Sequence, residues 1–193
     1  MLGNVSKRLL LASGSPRRRE LIDVFEERVG FVSSSSDEPS PLNGETPDEY
    51  VLRVALAKAQ NVAKKSYPAV LMSADTVVVF KGEILGKPLD YEEASTTLGR
   101  LRGTDHQVVT GVTVLDSETG ALVKSSTSTC VIMRKYSTDE IAQYVATGKP
   151  LDKAGSYGVQ DHEFHPAQTV KGCYLNVVGF PLCTVTTLLG KMG

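Results

Sequence analysis

The chain contains no tryptophan, and aromatic residues make up only 6% of its 193 positions. Single-stranded nucleic acid is held largely by stacking bases on aromatic rings, so that ligand class is disfavoured. Neither sign of charge is in excess: 21 Lys and Arg face 22 Asp and Glu, for a formal net charge of -1. No global basic field points to DNA or RNA, and any anion site must be local. Cysteine is scarce, with only Cys130, Cys173 and Cys183 and no C-x-x-C pair. An odd, scattered count reads as reduced thiols, which implies a reducing, cytoplasmic compartment. No apolar run approaches the roughly 18–20 residues of a membrane span, and Met1-Leu-Gly-Asn-Val does not begin a signal peptide, so no membrane partner is expected. The chain also lacks internal repeats, a G-x-x-x-x-G-K-[ST] phosphate loop and a G-x-S-x-G nucleophile elbow. His162-Glu163-Phe164-His165 has the wrong order for H-E-x-x-H and no flanking cysteines, which argues against zinc.

What remains is an ordinary globular composition, 41% hydrophobic and 22% charged. The length suits one domain over residues 1–193, with room for two lobes. The most informative stretch is Leu9-Leu-Leu-Ala-Ser13-Gly-Ser15-Pro16-Arg17-Arg18-Arg19. An apolar strand stops at small hydroxyl residues, and a helix starts with Ser15 at the N-cap and Pro16 at the first helical position. Backbone N–H groups at a helix start attract anions, and arginine forks match phosphate oxygens. Further along, Ser33 to Gly44 reads as loop. Thr46-Pro47-Asp48-Glu49 is a capping box that opens a helix to about Lys65, with Val51, Val54, Ala55 and Ala59 on one side. Ala69 to Phe80 reads as a strand buried on both faces. A helix capped by Asp90 and Glu93 runs to about Gly103. His106 to Asp116 and Leu122 to Arg134 form a hairpin-like pair, and Ser137 to Glu140 caps a helix to about Ala146. A short strand at Tyr174 to Val178 and a terminal helix from Pro181 close the chain. This mixture predicts a mixed α/β (α+β) fold with one central mixed sheet flanked by helices.

Chemistry gathers at a few positions. Asp75 sits in the middle of an apolar strand, where a carboxylate is costly unless paired, metal-bound or protonated. It is either a structural acid capping neighbouring N–H groups or a functional one. Arg17 and Arg18 would ordinarily be a solvated helix face, but the turn before them places them beside backbone donors. Lys58 lies on a helix, where lysines mostly face solvent, and Lys87 lies in the stiff Gly86-Lys87-Pro88 loop. Asp37 and Glu38 sit in an acidic loop. One of them can join Asp75 around a hard cation, because Mg²⁺ is usually held by one or two carboxylates plus substrate phosphates. Together these residues are equipment for metal-assisted attack on a phosphorus centre.

Ser13-Gly-Ser15-Pro16-Arg17-Arg18, Asp37-Glu38, Ser73-Ala-Asp75-Thr76, Gly86-Lys87-Pro88 and Asp152-Lys-Ala-Gly155-Ser-Tyr157-Gly-Val-Gln160 occur together and in order. In this combination the chain closely resembles the Maf family, also called septum formation inhibitor Maf, from about Leu9 to Pro181. The resemblance implies a fold related to the inosine triphosphate pyrophosphatases, with two lobes around a nucleotide cleft. It implies hydrolysis of nucleoside triphosphates to monophosphate and pyrophosphate with Mg²⁺ or Mn²⁺, as house-cleaning of the nucleotide pool. Asp75 would be the proton acceptor, and Ser13, Arg17, Arg18, Glu38, Lys58 and Lys87 would line the nucleotide site; beyond the resemblance, the chemistry of the residues themselves lets Glu38 and Asp75 share the divalent cation as its ligands. Arg17, Thr76 and Gln160 resemble the branch acting on dTTP and UTP, and the Gln160 amide carries both the donor and the acceptor that a uracil or thymine edge requires. A second carboxylate can share the base role with Asp75, and the sequence leaves that division open. Relatives often continue after this glutamine with a Gly-rich turn, whereas here the chain reads Asp161-His162-Glu163-Phe164-His165. The resemblance also leaves a non-catalytic, nucleotide-binding regulator of cell division as the alternative. A homodimer is a further expectation.

Overall fold

The computed structural model describes residues 7–25, 29–34, 39–65 and 68–192. Strands and helices alternate through the first part of the chain: β1 (Leu9–Ala12), α1 (Pro16–Ile22), β2 (Val29–Val32), α2 (Pro47–Ala63) and β3 (Val70–Phe80). Beyond them lie β4 (Glu83–Leu85), α3 (Tyr91–Leu101), β5 (Asp105–Asp116), β6 (Leu122–Met133), α4 (Thr138–Ala146), β7 (Ala167–Lys171), α5 (Tyr174–Val178) and α6 (Leu182–Gly190). Short 3₁₀ turns occupy Asp23–Phe25, Lys149–Asp152 and Ala154–Ser156. The seven strands form one mixed sheet in the order β2-β1-β3-β5-β6-β7, with β4 paired to β3. The expected mixed α/β architecture is therefore present.

The chain divides into two compact units. The first comprises Met1–Asp75, Thr110–Thr127 and Gly179–Gly193, and the second Thr76–Val109 and Ser128–Val178. In the first, β1 pairs in parallel with β2 on one side and with β3 on the other, Leu11 lying opposite Phe31 and Met72. Parallel strands are covered on both faces, so their side chains must be apolar in both directions. β1 meets this demand: Leu9 and Leu11 join a core with Ile22, Met72, Phe180 and Leu189, while Leu10 and Ala12 join another with Ala59, Val62 and Leu71. Gly111 on β5 lets α2 approach closely, since a Cβ there would lie 2.7 Å from the Val51 carbonyl carbon. The second unit packs Val78, Phe80, Leu98, Leu101, Tyr136, Tyr144 and Phe164 into its own core.

Helix starts agree closely with the sequence signals. Thr46 Oγ1 accepts from the Glu49 N–H at 3.3 Å, and Glu49 Oε2 accepts from the Thr46 N–H at 2.9 Å. Ser137 and Glu140 repeat this reciprocal cap, at 3.1 and 2.7 Å. Each satisfies two backbone donors that the helix itself leaves over.

One expectation is overturned. Tyr174 to Val178 is a short helix, not a strand. β7 has already taken the place beside β6, and the chain then turns at Gly172, whose φ of 133° suits glycine. The buried Asn176 side chain ties the segment down by donating to the Val108 carbonyl at 2.9 Å and to Thr129 Oγ1 at 3.0 Å. The short strands β2, β4 and β7 were not anticipated. They have three to five residues each, too few for a periodic signal to stand out.

The turn between β5 and β6 is organised by Asp116. Its carboxylate accepts from Lys7 Nζ at 2.8 Å and from the Glu118 and Thr119 N–H groups at 2.9 and 3.3 Å. The Lys7 ammonium first, and then these N–H groups, hold the Asp116 carboxyl down at about 2. A depressed carboxyl pKa stabilises the fold above the unfolded value of about 4, and that contribution is lost as the pH falls toward 2. The Asp116→Asn variant should therefore be less stable than wild type at pH 7, with the difference vanishing near pH 2 in urea unfolding curves.

Candidate functional site

In open α/β sheets, ligands settle beyond the carboxyl ends of parallel strands, where the strand order reverses. The first unit has such a point. The chain leaves β1 through α1 to β2 on one side, then returns through α2 to β3 on the other. β1 ends at Ala12, one residue past the Leu11–Met72 pair, whereas β3 continues to Phe80. The turn Ser13-Gly-Ser15-Pro16 thus springs from the sheet next to the β3 segment that carries Asp75.

Ser13 is buried, and its Oγ accepts from the Ser15 N–H at 3.1 Å. Ser15 is the N-cap of α1 with Pro16 behind it, as expected, but its side chain makes no capping bond. The Ser13 hydroxyl organises the turn in its place. Of the three arginines after the turn, Arg17 and Arg18 are half-buried and Arg19 is exposed. Arg18 Nε donates to the Gly179 carbonyl at 2.8 Å, which orients the guanidinium through one of its five N–H groups. Arg19 lies over the Phe31 ring, 5.2 Å from its centroid, and is occupied structurally.

Asp75 is 5% exposed and Lys58 7%, and Lys58 Nζ donates to Asp75 Oδ1 at 2.6 Å. A helix lysine, a type that mostly faces solvent, is here the buried partner of the strand carboxylate. The same face of α2 buries Val51, Val54, Ala55 and Ala59, so Lys58 points inward because its neighbours on that stripe do. Asp75 does not lie at a strand bend. It is an ion-paired carboxylate in the middle of a continuous strand, and its second oxygen remains chemically capable of accepting from a water or a cation.

Thr76, Lys87 and Gln160 belong to the second unit. Thr76 follows Asp75 on β3 and is half-buried, while Lys87 is exposed between β4 and α3. Gly155, which sequence reasoning passed over, ties together the segments that carry Lys87 and Gln160. Its N–H donates to the Gly86 carbonyl at 3.0 Å. Its φ is 68°, and a Cβ there would sit 2.7 Å from Val78 Cγ2. Both the left-handed backbone and the lack of space require glycine. The loop after Gln160 is firmly held. Phe164 stacks on Tyr144 at 4.2 Å between centroids and lies 4.8 Å from Tyr136. Arg134 donates to the Phe164 carbonyl at 2.8 Å and the His165 carbonyl at 3.0 Å. Burial pushes the Tyr144 hydroxyl up, away from ionisation.

Asp37 and Glu38 lie outside the described residues. Among the described residues no group of three or more His, Cys, Asp or Glu is arranged to hold a metal, and no helix is long and apolar enough to cross a membrane. Cys130, Cys173 and Cys183 are free thiols.

A parallel α/β unit with a buried acid–lysine pair beside the turn that closes its first strand is thus the chemical centre of the chain. The Maf-like protein family matches residues 8–192, and the chain belongs to that family. A dTTP/UTP pyrophosphatase of Geotalea uraniireducens is 43% identical over 185 residues, spanning 96% of this chain and 95% of the relative. Proteins of the same name from Pelotomaculum thermopropionicum and Methanosarcina barkeri are each 42% identical over 187 residues, covering 97% of this chain. A solved nucleoside-triphosphatase / dITP/XTP pyrophosphatase from Mycobacterium abscessus superimposes with a TM-score of 0.41 and 16% identity, over 67% of this chain and 75% of that one.

Removing one partner of a buried ion pair leaves the other uncompensated. Lys58→Met should lower the unfolding free energy by about 3–5 kcal/mol. Adding Asp75→Leu should recover most of that loss, as read from guanidinium unfolding of the single and double variants. Gly155→Ala should destabilise the protein in the same assay, through both its forced φ and its contact with Val78.

Proposed function

We propose that this protein is a nucleoside triphosphate pyrophosphatase that hydrolyses dTTP and UTP to the monophosphate and pyrophosphate. The observation that carries the reading is the buried Lys58–Asp75 pair at 2.6 Å, next to a serine- and arginine-bearing turn. Membership of the Maf-like family and the names of relatives about 40% identical over nearly the whole chain support it.

In this reading Asp75 orients a water, and accepts a proton from it, as the water attacks the α-phosphorus. The bond from the α-phosphorus to its bridging oxygen breaks, and pyrophosphate departs. Lys58 fixes the carboxylate through Oδ1, so that the second oxygen faces the water. Ser13, Arg17 and Arg18 hold phosphate oxygens, with the Arg18 fork already aimed by Gly179. Lys87 adds positive charge, and Gln160 presents a donor and an acceptor to the pyrimidine edge. Arg17 and Thr76 complete the discrimination between bases.

The donor set suits Mg²⁺ or Mn²⁺ of the kind that completes its shell with substrate phosphates and water, since such an ion needs only one or two protein carboxylates. Asp75 is one and Glu38 the proposed second. The cation, when bound, supplies charge neutralisation for the phosphates and the leaving pyrophosphate. The activity is assigned to the cytoplasm, consistent with three free thiols.

Purified protein given UTP, dTTP, CTP or 7-methyl-GTP with Mg²⁺ or Mn²⁺ should release pyrophosphate, fastest from dTTP and UTP, and EDTA should abolish the release. No pyrophosphate from any of the four would favour a nucleotide-sensing regulator instead. Asp75→Asn should still bind nucleotide in calorimetry while turnover drops about 10²–10⁴-fold, the range of a lost general base.

A further inference from the structure

We infer that Ser73 is a positioning residue for Asp75, acting by locking α2 onto β3 so that Lys58 reaches the carboxylate. The inference rests on the proposed function and extends it to a residue outside the site.

Ser73 is fully buried, and its Oγ donates to the Ala55 carbonyl at 2.6 Å. A serine inside a sheet core is costlier than alanine unless its hydroxyl is bonded. Alanine at 73 would need no partner, so the hydroxyl calls for a reason. Its acceptor lies within α2, where the carbonyl is already a member of the helical ladder; the serine supplies a second bond to an oxygen with two lone pairs. The bond therefore does not rescue an orphaned helix carbonyl. It joins helix to strand.

The two contacts form adjacent rungs. Ser73 and Asp75 are two apart on a strand and share a face, while Ala55 and Lys58 are three apart on a helix and share a stripe. Ser73 meets Ala55, and Asp75 meets Lys58. A second, independent feature sets the helix-to-sheet spacing. Gly111 lacks the Cβ that would press on Val51, one turn before Ala55. With the helix drawn in at Val51 and bolted at Ala55, the Lys58 ammonium is delivered to Asp75 Oδ1. Removing the bolt lets the lysine and the carboxylate wander at the atom that aims the attacking water. A misplacement near 1 Å at such an atom can cost about 10²-fold in rate.

The test compares wild type with Ser73→Ala, with Ser73→Cys, which leaves no cavity but weakens the donor, and with Val185→Ala, a cavity in the same unit's core. Two readouts are taken: steady-state kinetics on dTTP, and reductive methylation of Lys58 followed by mass spectrometry. Both Ser73 variants should lose about tenfold or more in kcat with KM nearly unchanged, and Lys58 should be methylated several-fold faster than in wild type. Val185→Ala should be less stable than wild type yet match it in both readouts. Wild-type kcat and wild-type Lys58 protection in Ser73→Cys would overturn the inference, as would equal kcat losses in Val185→Ala. If wild type itself releases no pyrophosphate, the proposed function fails, and the methylation arm alone decides whether Ser73 positions Lys58.

Discussion

A carboxylate buried in the middle of a strand cannot be left uncompensated, and that constraint shapes the first unit. Asp75 needs a cation at hydrogen-bond distance, and the nearest covering element is α2. The helix must then turn a lysine inward, sit close enough to deliver it, and stay there. The capping box at Thr46 and Glu49 fixes where the helix starts. The apolar stripe fixes which face looks in, and Gly111 fixes how near it comes. The energetics favour this only because both charges are paired; either one alone would cost several kcal/mol.

Local chemistry made much of this readable in advance. The strand–turn–helix at Leu9 to Arg19, both capping boxes and the doubly buried β3 all arise from signals a few residues long, and each is found where the sequence places it. What local signals leave undecided is settled by tertiary packing. Tyr174 to Val178 is rich in residues that suit strands, yet it is helical because β7 precedes it along β6 and a single asparagine side chain, Asn176, anchors the segment beyond the Gly172 turn. Competition for a sheet edge is a tertiary fact that no window of sequence contains. Lys58 is similar: its inward aim is visible in the stripe of Val51, Val54, Ala55 and Ala59, but its meeting with Asp75 depends on how α2 lies on β3. Ser73 left a signal, a hydroxyl within an apolar run two residues before the carboxylate. Gly155 left one too, inside a glycine-bearing turn, though only the Val78 contact reveals why glycine is needed.

In the second unit, backbone conformation and aromatic packing take over the role that the ion pair has in the first. A left-handed glycine joins the Gly86-Lys87-Pro88 loop to the segment leading to Gln160. Tyr136, Tyr144 and Phe164 then form an apolar cluster beneath the segment after it. Arg134 adds a polar clasp across the back, binding two successive carbonyls of that segment and the Glu140 carboxylate at 2.7 Å.

The Phe164 anchor separates two jobs that loops usually combine. The main tertiary anchors of the segment after Gln160 are directed inward: one buried ring, and two main-chain carbonyls held by Arg134. His162 and Glu163 are exposed, and an exposed pair such as Lys149–Glu163 contributes little to stability. The outer surface of this segment is therefore an interchangeable cassette on a fixed mount. Mutation can repaint His162 and Glu163 without remodelling the backbone beneath, which gives the chain room to drift in sequence just past Gln160 while the mount itself stays put.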